Sequence, residues 1–135
     1  MLRGRFLFLL LILAQAAHSI EEYVQKLYDV FVPARLVSRV FSSDPAVGFV
    51  IFNAAVVAFG LWSWAVPIRL NRSAARPLLW FWAGLECANG VGHLVLGASN
   101  GGYFPGMLTA PLLLLFGAAL GLALRGAAPR YLPHS

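Results

Sequence analysis

Charge is scarce in this chain: 11% of its 135 residues are Asp, Glu, Lys or Arg, against about 25% in soluble domains. Negative charge is scarcer still, with five carboxylates facing ten Lys and Arg residues. A soluble domain of this size leaves about a third of its unfolded surface exposed, so it could not hide a composition that is 60% hydrophobic. A bilayer is the solvent that suits such a chain. The single cysteine, Cys87, excludes an intrachain disulfide framework. The basic residues stand at the ends of apolar runs and form no patch interleaved with aromatics, which excludes nucleic acid as a partner. No internal repeat is present.

What is there is a series of apolar segments: Phe6 to about Tyr23, Ala46 to Val66, Leu78 to Ala98 and Phe104 to Leu124. The last three can each cross roughly 30 Å of hydrocarbon at about 1.5 Å per residue. Pro45, Pro77 and Pro105 stand at or near their starts, where a missing N–H is harmless. The expected fold is all-α: residues 1–135 as one integral membrane bundle of four transmembrane helices, ending in a short polar tail from 125 to 135 that includes an inert His134. Arg3, Arg5, Arg69, Arg72, Arg76, Arg125 and Arg130 flank one side, which predicts both termini inside. The stretch holding Lys26, Arg35 and Arg39 alternates charge with apolar residues and is expected to lie along the outer interface as an amphipathic connection. Trp62, Trp64, Trp80 and Trp82 then fall in an aromatic belt at the inner ends of the second and third spans. The sequon Asn71-Arg72-Ser73 lies on the inner side and is expected to be unmodified.

Two readings of the first segment stand side by side. Met1 to Arg5, Phe6 to Leu13 and Ala14-Gln15-Ala16 match the three regions of a cleavable signal peptide. If the segment is retained, its purely apolar part covers only about 18 Å, so the helix must continue through His18, Glu21 and Glu22 to cross.

Ionisable groups at membrane depth are costly and rarely kept without a use. At 100° per residue, His18, Glu21 and Glu22 share one helical face, and Glu86, Asn89 and His93 share another. Gly90 and Gly97 lie on that second face, where small residues admit a neighbouring backbone. Running outward from Leu78, Glu86 lies about 12 Å and His93 about 22 Å into the membrane, with His18 and Glu22 about 18 and 24 Å along the first helix. The two stripes are therefore expected to meet in the outer half, with Asn53 in the same layer and the Tyr103 to Gly106 turn as its cap. Three carboxylates and two imidazoles there require raised carboxyl pKa values, His–Glu ion pairs, or a divalent cation. Histidine with carboxylate is a usual ligand mixture for Zn, Fe or Mn. Singly, Asn53 and Asn89 read as interhelical hydrogen bonds, and Cys87 reads as a packing residue off the polar face.

With those residues laid out, the chain resembles the HXXEE domain family. His18-Ser19-Ile20-Glu21-Glu22 matches its signature, Asn89-Gly90-Val91-Gly92-His93 its NxxxH element, and Tyr103-Phe104-Pro105-Gly106-Met107-Leu108-Thr109 is similar to its x-x-P-G-x-x-T element. The likeness runs from about His18 to Thr109. In the family pattern the third element can begin with Cys; here it begins with Tyr103, so no thiol is carried over. The resemblance implies a small integral membrane protein, with an enzymatic role suspected because its motif residues are of catalytic type. It also favours retention of the first helix, because cleavage would leave the signature at the very end of the chain.

The function expected first is a metal-dependent membrane hydrolase acting on a lipid or lipid-linked substrate near the outer leaflet. His18, Glu21, Glu22, Glu86 and His93 are its candidate ligands, and one of Glu21, Glu22 and Glu86 is left as general base. Asn53, Asn89, Tyr103 and Thr109 are candidate supporting or substrate-binding residues. An iron-dependent oxidation uses the same ligands. Two other classes stay open: a proton- or ion-conducting binding protein, and a structural accessory subunit in which the polar groups only join helices.

Overall fold

The structure, a computed structural model, describes residues 2–126. Met1 and residues 127–135, with Arg130 and His134, lie outside the described residues, while Arg125 and Gly126 of the expected polar tail belong to the last helix. Among the described residues there are six α-helices and no strands: α1 Leu2–Val24, α2 Leu27–Val30, α3 Val32–Phe41, α4 Pro45–Ser63, α5 Ala75–Ser99 and α6 Ala110–Gly126.

Local chemistry sets most of the boundaries. The Leu-rich run of α1 loses little rotamer freedom in a helix, and α1 continues through His18, Glu21 and Glu22 to Val24. Lys26 then takes a left-handed conformation at φ 55°, which turns the chain into the single turn of α2. Pro33 sits in the first turn of α3, and Pro45 at the start of α4, where the Asp44 carboxylate accepts hydrogen bonds from the backbone N–H of Ala46 at 2.8 Å and of Val47 at 3.4 Å. Near the far end of α4, Pro67 has no N–H to donate and its ring crowds the carbonyl four residues back. The chain answers with a π turn over Trp64–Ile68, in which the N–H of Arg69 reaches the carbonyl of Trp64 at 2.8 Å. Helix plus π turn make one continuous apolar stretch.

Two helices are long and apolar enough to cross a membrane: Arg3–Val24 and Pro45–Ile68. The fourth apolar segment does not begin its helix at Phe104, as the sequence pattern suggested. Tyr103 and Phe104 are irregular, Pro105–Thr109 forms successive turns, and α6 starts at Ala110. Gly106 at φ +92° cannot join a right-handed helix, and the N–H groups of Leu108 and Thr109 donate to the Glu21 carboxylate. Pro105 therefore belongs to this turn and starts no helix.

α1 runs through the middle of the bundle, against α4, α5 and α6. Its Phe8, Leu11 and Ile12 join Leu79, Trp82 and Ala83 of α5 and Leu120 and Leu124 of α6 in one apolar cluster. A smaller cluster of Leu27, Tyr28, Phe49 and Phe104 lies beyond the other end of α1. The polar residues of α1 and α5 fall between the two. Trp82 departs from the belt expected for it: it is 1% exposed, meets Phe8 edge-on and Phe59 at a tilt, and donates its indole N–H to Ser63 Oγ at 3.4 Å. Its position on the buried face of α5, beside Leu79 and Ala83, outweighs the general preference of tryptophan for an interface.

α3 lies on α4 through Ala34 and Ser38 and leaves Leu36 and Val40 exposed. The two backbones approach closely at Gly48, where an added Cβ would run into the Ser38 carbonyl. That neighbour is backbone and cannot rotate away. Gly48→Ala is expected to lower stability by about 1–3 kcal/mol, whereas Gly92→Ala, with open space around it, should be neutral or better in a helix. Thermal unfolding of the two variants in mild detergent checks this; equal midpoints would mean that α3 does not dock as described.

Candidate metal centre

The two polar stripes meet. The rings of His18 on α1 and His93 on α5 stand edge to face with centroids 4.6 Å apart. Both present Nε2 to the same oxygen of Glu22, His93 at 3.0 Å and His18 at 3.3 Å. All three side chains are buried, and their donor atoms lie within 4.8 Å of one another.

The far sides of the rings decide what those Nε2 atoms carry. His93 Nδ1 lies 2.6 Å from the carbonyl oxygen of Pro105, which can only accept, so Nδ1 holds the proton. His18 Nδ1 lies 2.7 Å from Thr109 Oγ1, whose single proton is given to Glu21 Oε2 at 2.6 Å; the hydroxyl oxygen accepts from His18. A neutral ring with its proton on Nδ1 has a lone pair on Nε2. Two lone pairs and a carboxylate oxygen thus converge, and such a set repels itself unless a proton or a cation sits between them. The contact of His18 Nε2 with Glu22 is close enough in distance but poorly directed, and this buried nitrogen has no hydrogen-bond partner. Metal-binding histidines characteristically donate their second N–H to a carbonyl or carboxylate, directly or through a relay. Both imidazoles already do so.

Glu21 is turned elsewhere. Adjacent residues on a helix point about 100° apart, and the Glu21 carboxylate accepts four hydrogen bonds from the turn before α6: Tyr103 OH at 2.6 Å, Leu108 N–H at 3.0 Å, Thr109 N–H at 2.9 Å and the Thr109 hydroxyl. Burial, followed by the bond to Glu21, pushes the Tyr103 phenol up to about 12, so it remains a donor. With its lone pairs so engaged, Glu21 orients the site through Thr109 and stands outside the cluster of donor atoms. Gly106 completes the turn. A Cβ there would come within 2.5 Å of His93 Nδ1 and 2.7 Å of His18 Cε1, so the close approach of the turn to both rings depends on glycine.

Glu86 is not in the three-residue cluster either, but it lines a cavity of about 400 Å³ together with Glu22, His93, Asn53 and Asn89. It is 1% exposed and its Oε2 has no hydrogen-bond partner. Asn53 joins α4 to α1: its Oδ1 accepts from Ser19 Oγ at 2.8 Å while its amide donates to the Phe49 carbonyl at 3.1 Å. Gly90 and Gly97 are where α6 and the turn come close, against the Ala110 and Gly102 carbonyls.

Sequence reasoning missed Gln15 and Ser19. Gln15 donates to Ser19 at 3.1 Å, lines the cavity, and has a buried Oε1 without a partner. The signal is in the spacing: residues 15, 18, 19 and 22 follow the i, i+3, i+4, i+7 pattern of one helical stripe.

Against known proteins, residues 9–120 match the family described as "Protein of unknown function with HXXEE motif". No curated protein and no solved structure matches the chain.

Thr109→Val preserves volume but leaves His18 Nδ1–H without an acceptor and takes from Glu21 one of its four donors. It is expected to cost about 1–3 kcal/mol of stability, more than Tyr103→Phe, which removes one bond at a partly exposed position. Unfolding in detergent measures both; a Thr109→Val variant as stable as the parent would mean that the hydroxyl does not hold the relay.

Proposed function

We propose a catalytic role for this chain, which belongs to the family of proteins with the HXXEE motif: a metal-dependent membrane hydrolase acting on a lipid or lipid-linked substrate. The observation that carries the reading is the convergence of His18 Nε2, His93 Nε2 and Glu22 Oε1, with the other nitrogen of each ring already committed to an acceptor. Two imidazoles and a carboxylate are a usual catalytic zinc set, with a fourth position left open. A bound cation would supply a Lewis acid and a water of lowered pKa. Zn, Fe and Mn all accept such ligands.

The chain's own residues supply the rest. Glu86, buried with one oxygen unpartnered beside the same cavity, is the group free to take a proton from water. Glu21 and Thr109 hold the His18 ring, and Pro105 holds His93. Asn53 and Asn89 offer amide groups to a polar substrate head, and the aromatic and aliphatic lining from Phe31, Phe49, Phe52 and Leu85 suits an acyl chain.

The membrane setting belongs to the same reading. α5 at 25 residues and α6 at 17, with the turn before it, would cross beside α1 and α4 as a single four-span domain, α6 covering about 25 Å by itself. Arg3, Arg5, Arg69, Arg72, Arg76 and Arg125 would mark the inner side, so that both termini lie inside and the histidines face the outer leaflet. α3, with Leu36 and Val40 exposed, would rest in the outer interface.

Protein purified in mild detergent is expected to carry near-stoichiometric Zn, Fe or Mn by elemental analysis. His93→Ala should lose the metal, while Glu86→Gln should keep it and lose lipid-ester hydrolysis by about 100-fold or more. A folded parent without metal, even after incubation with these ions, would sink the reading. For the topology, a reporter fused after Arg125 should be active on the inner face; activity confined to the outer face would reject the orientation.

A further inference from the structure

The end of the bundle farthest from the histidines holds a second cavity, of about 450 Å³, between the start of α1, the π turn and the end of α6. Its polar end is formed by Arg3, Arg5 and Asn71, and its wall is aliphatic, with Leu79, Leu122 and Leu124. The Nε of Arg5 is buried there with no hydrogen-bond partner among the described residues. A guanidinium cannot shed its charge, so a buried N–H of this kind calls for an acceptor.

Among the described residues no carboxylate meets it. Glu21, Glu22, Asp29 and Asp44 belong to the histidine end, and Glu86 stands eleven residues into α5, about 16 Å from the start of that helix. The ion pairs among the described residues join histidines to Glu22, and none involves an arginine. Arg69, Arg72, Arg76 and Arg125 add further positive charge around the same end. Among the described residues, then, two arginines face an aliphatic cavity with no anionic partner. A phosphate suits the forked donors of two arginines, but free phosphate is strongly hydrated and has no use for an aliphatic wall.

We propose that this cavity binds an anionic phospholipid, its phosphate taken by Arg3 and Arg5 and an acyl chain lying along the Leu79 and Leu122 wall. Basic pockets between membrane helices are suited to such headgroups. The site is separate from the histidine cluster and does not depend on a metal there.

The test uses the full chain in a neutral detergent, titrated with phosphatidylglycerol, phosphatidylcholine or inorganic phosphate, read by native mass spectrometry and by thermal unfolding. One phosphatidylglycerol should be retained and should raise the midpoint. Phosphatidylcholine should bind at least about tenfold more weakly, and inorganic phosphate at equal concentration should do nothing. Arg5→Gln should weaken phosphatidylglycerol binding about tenfold, the typical effect of losing one charge-assisted contact. Should that variant fail to fold, Arg3→Gln at the exposed start of α1 carries the test, and Asn71→Gly, which tolerates the left-handed φ of 54°, probes the amide. Equal affinity for the two lipids, a preference that survives Arg3→Gln and Arg5→Gln, or stabilisation by inorganic phosphate to the same extent would each overturn the proposal.

Discussion

The carboxylate of Glu21 takes four hydrogen bonds from a turn more than eighty residues further along the chain, and the positions of the other polar groups follow from that tie. Closing so long a loop costs entropy that grows only with the logarithm of its length, while bonds to a charged acceptor are roughly twice as strong as neutral ones. Once Thr109 gives its proton to Glu21, its oxygen must accept, and the His18 ring is fixed as a donor at Nδ1. The same turn carries the Pro105 carbonyl that fixes His93 in the same tautomer. A single turn thus presets both imidazoles.

The two adjacent glutamates of the signature have different work because a helix separates neighbours by about 100°. Glu22 points inward between two histidines; Glu21 points toward the turn. This division makes the motif intelligible: one carboxylate organises the partners that the other shares. Glu86 adds a third carboxylate at the cavity, with one buried oxygen that has no hydrogen-bond partner.

Placing this polar layer between two apolar clusters isolates it along the bundle. Trp82, Phe8 and Leu120 close it on one side, and Phe104, Tyr28 and Phe49 on the other. In such surroundings every unpaired polar atom is expensive. His18 Nε2, Glu86 Oε2 and Gln15 Oε1 are therefore informative as a group, since all three belong to the same layer and lack partners. Arg5 Nε, at the opposite end, follows the same logic with the opposite charge.

Helical periodicity and the scarcity of charge pointed, from sequence alone, to an all-helical fold, to a first helix that continues through His18, Glu21 and Glu22 if it is retained, and to the pairing of a His/Glu stripe with an Asn/His stripe. Those features depend on local spacing, which the sequence carries directly. Family membership was legible for a similar reason, as three ordered motifs. Other features depend on which neighbour a side chain meets. Spacing put Glu21 and Glu22 on one face, yet the turn before α6 claimed the first and the histidines the second. The same turn delayed α6 from Phe104 to Ala110, because its N–H groups had a carboxylate to bind and Gly106 had a left-handed conformation to adopt. Trp82 looked interfacial by type and proved central by position. Hydrogen-bond direction decided the histidine tautomers, and it exists only once donor and acceptor from distant parts of the chain are in place.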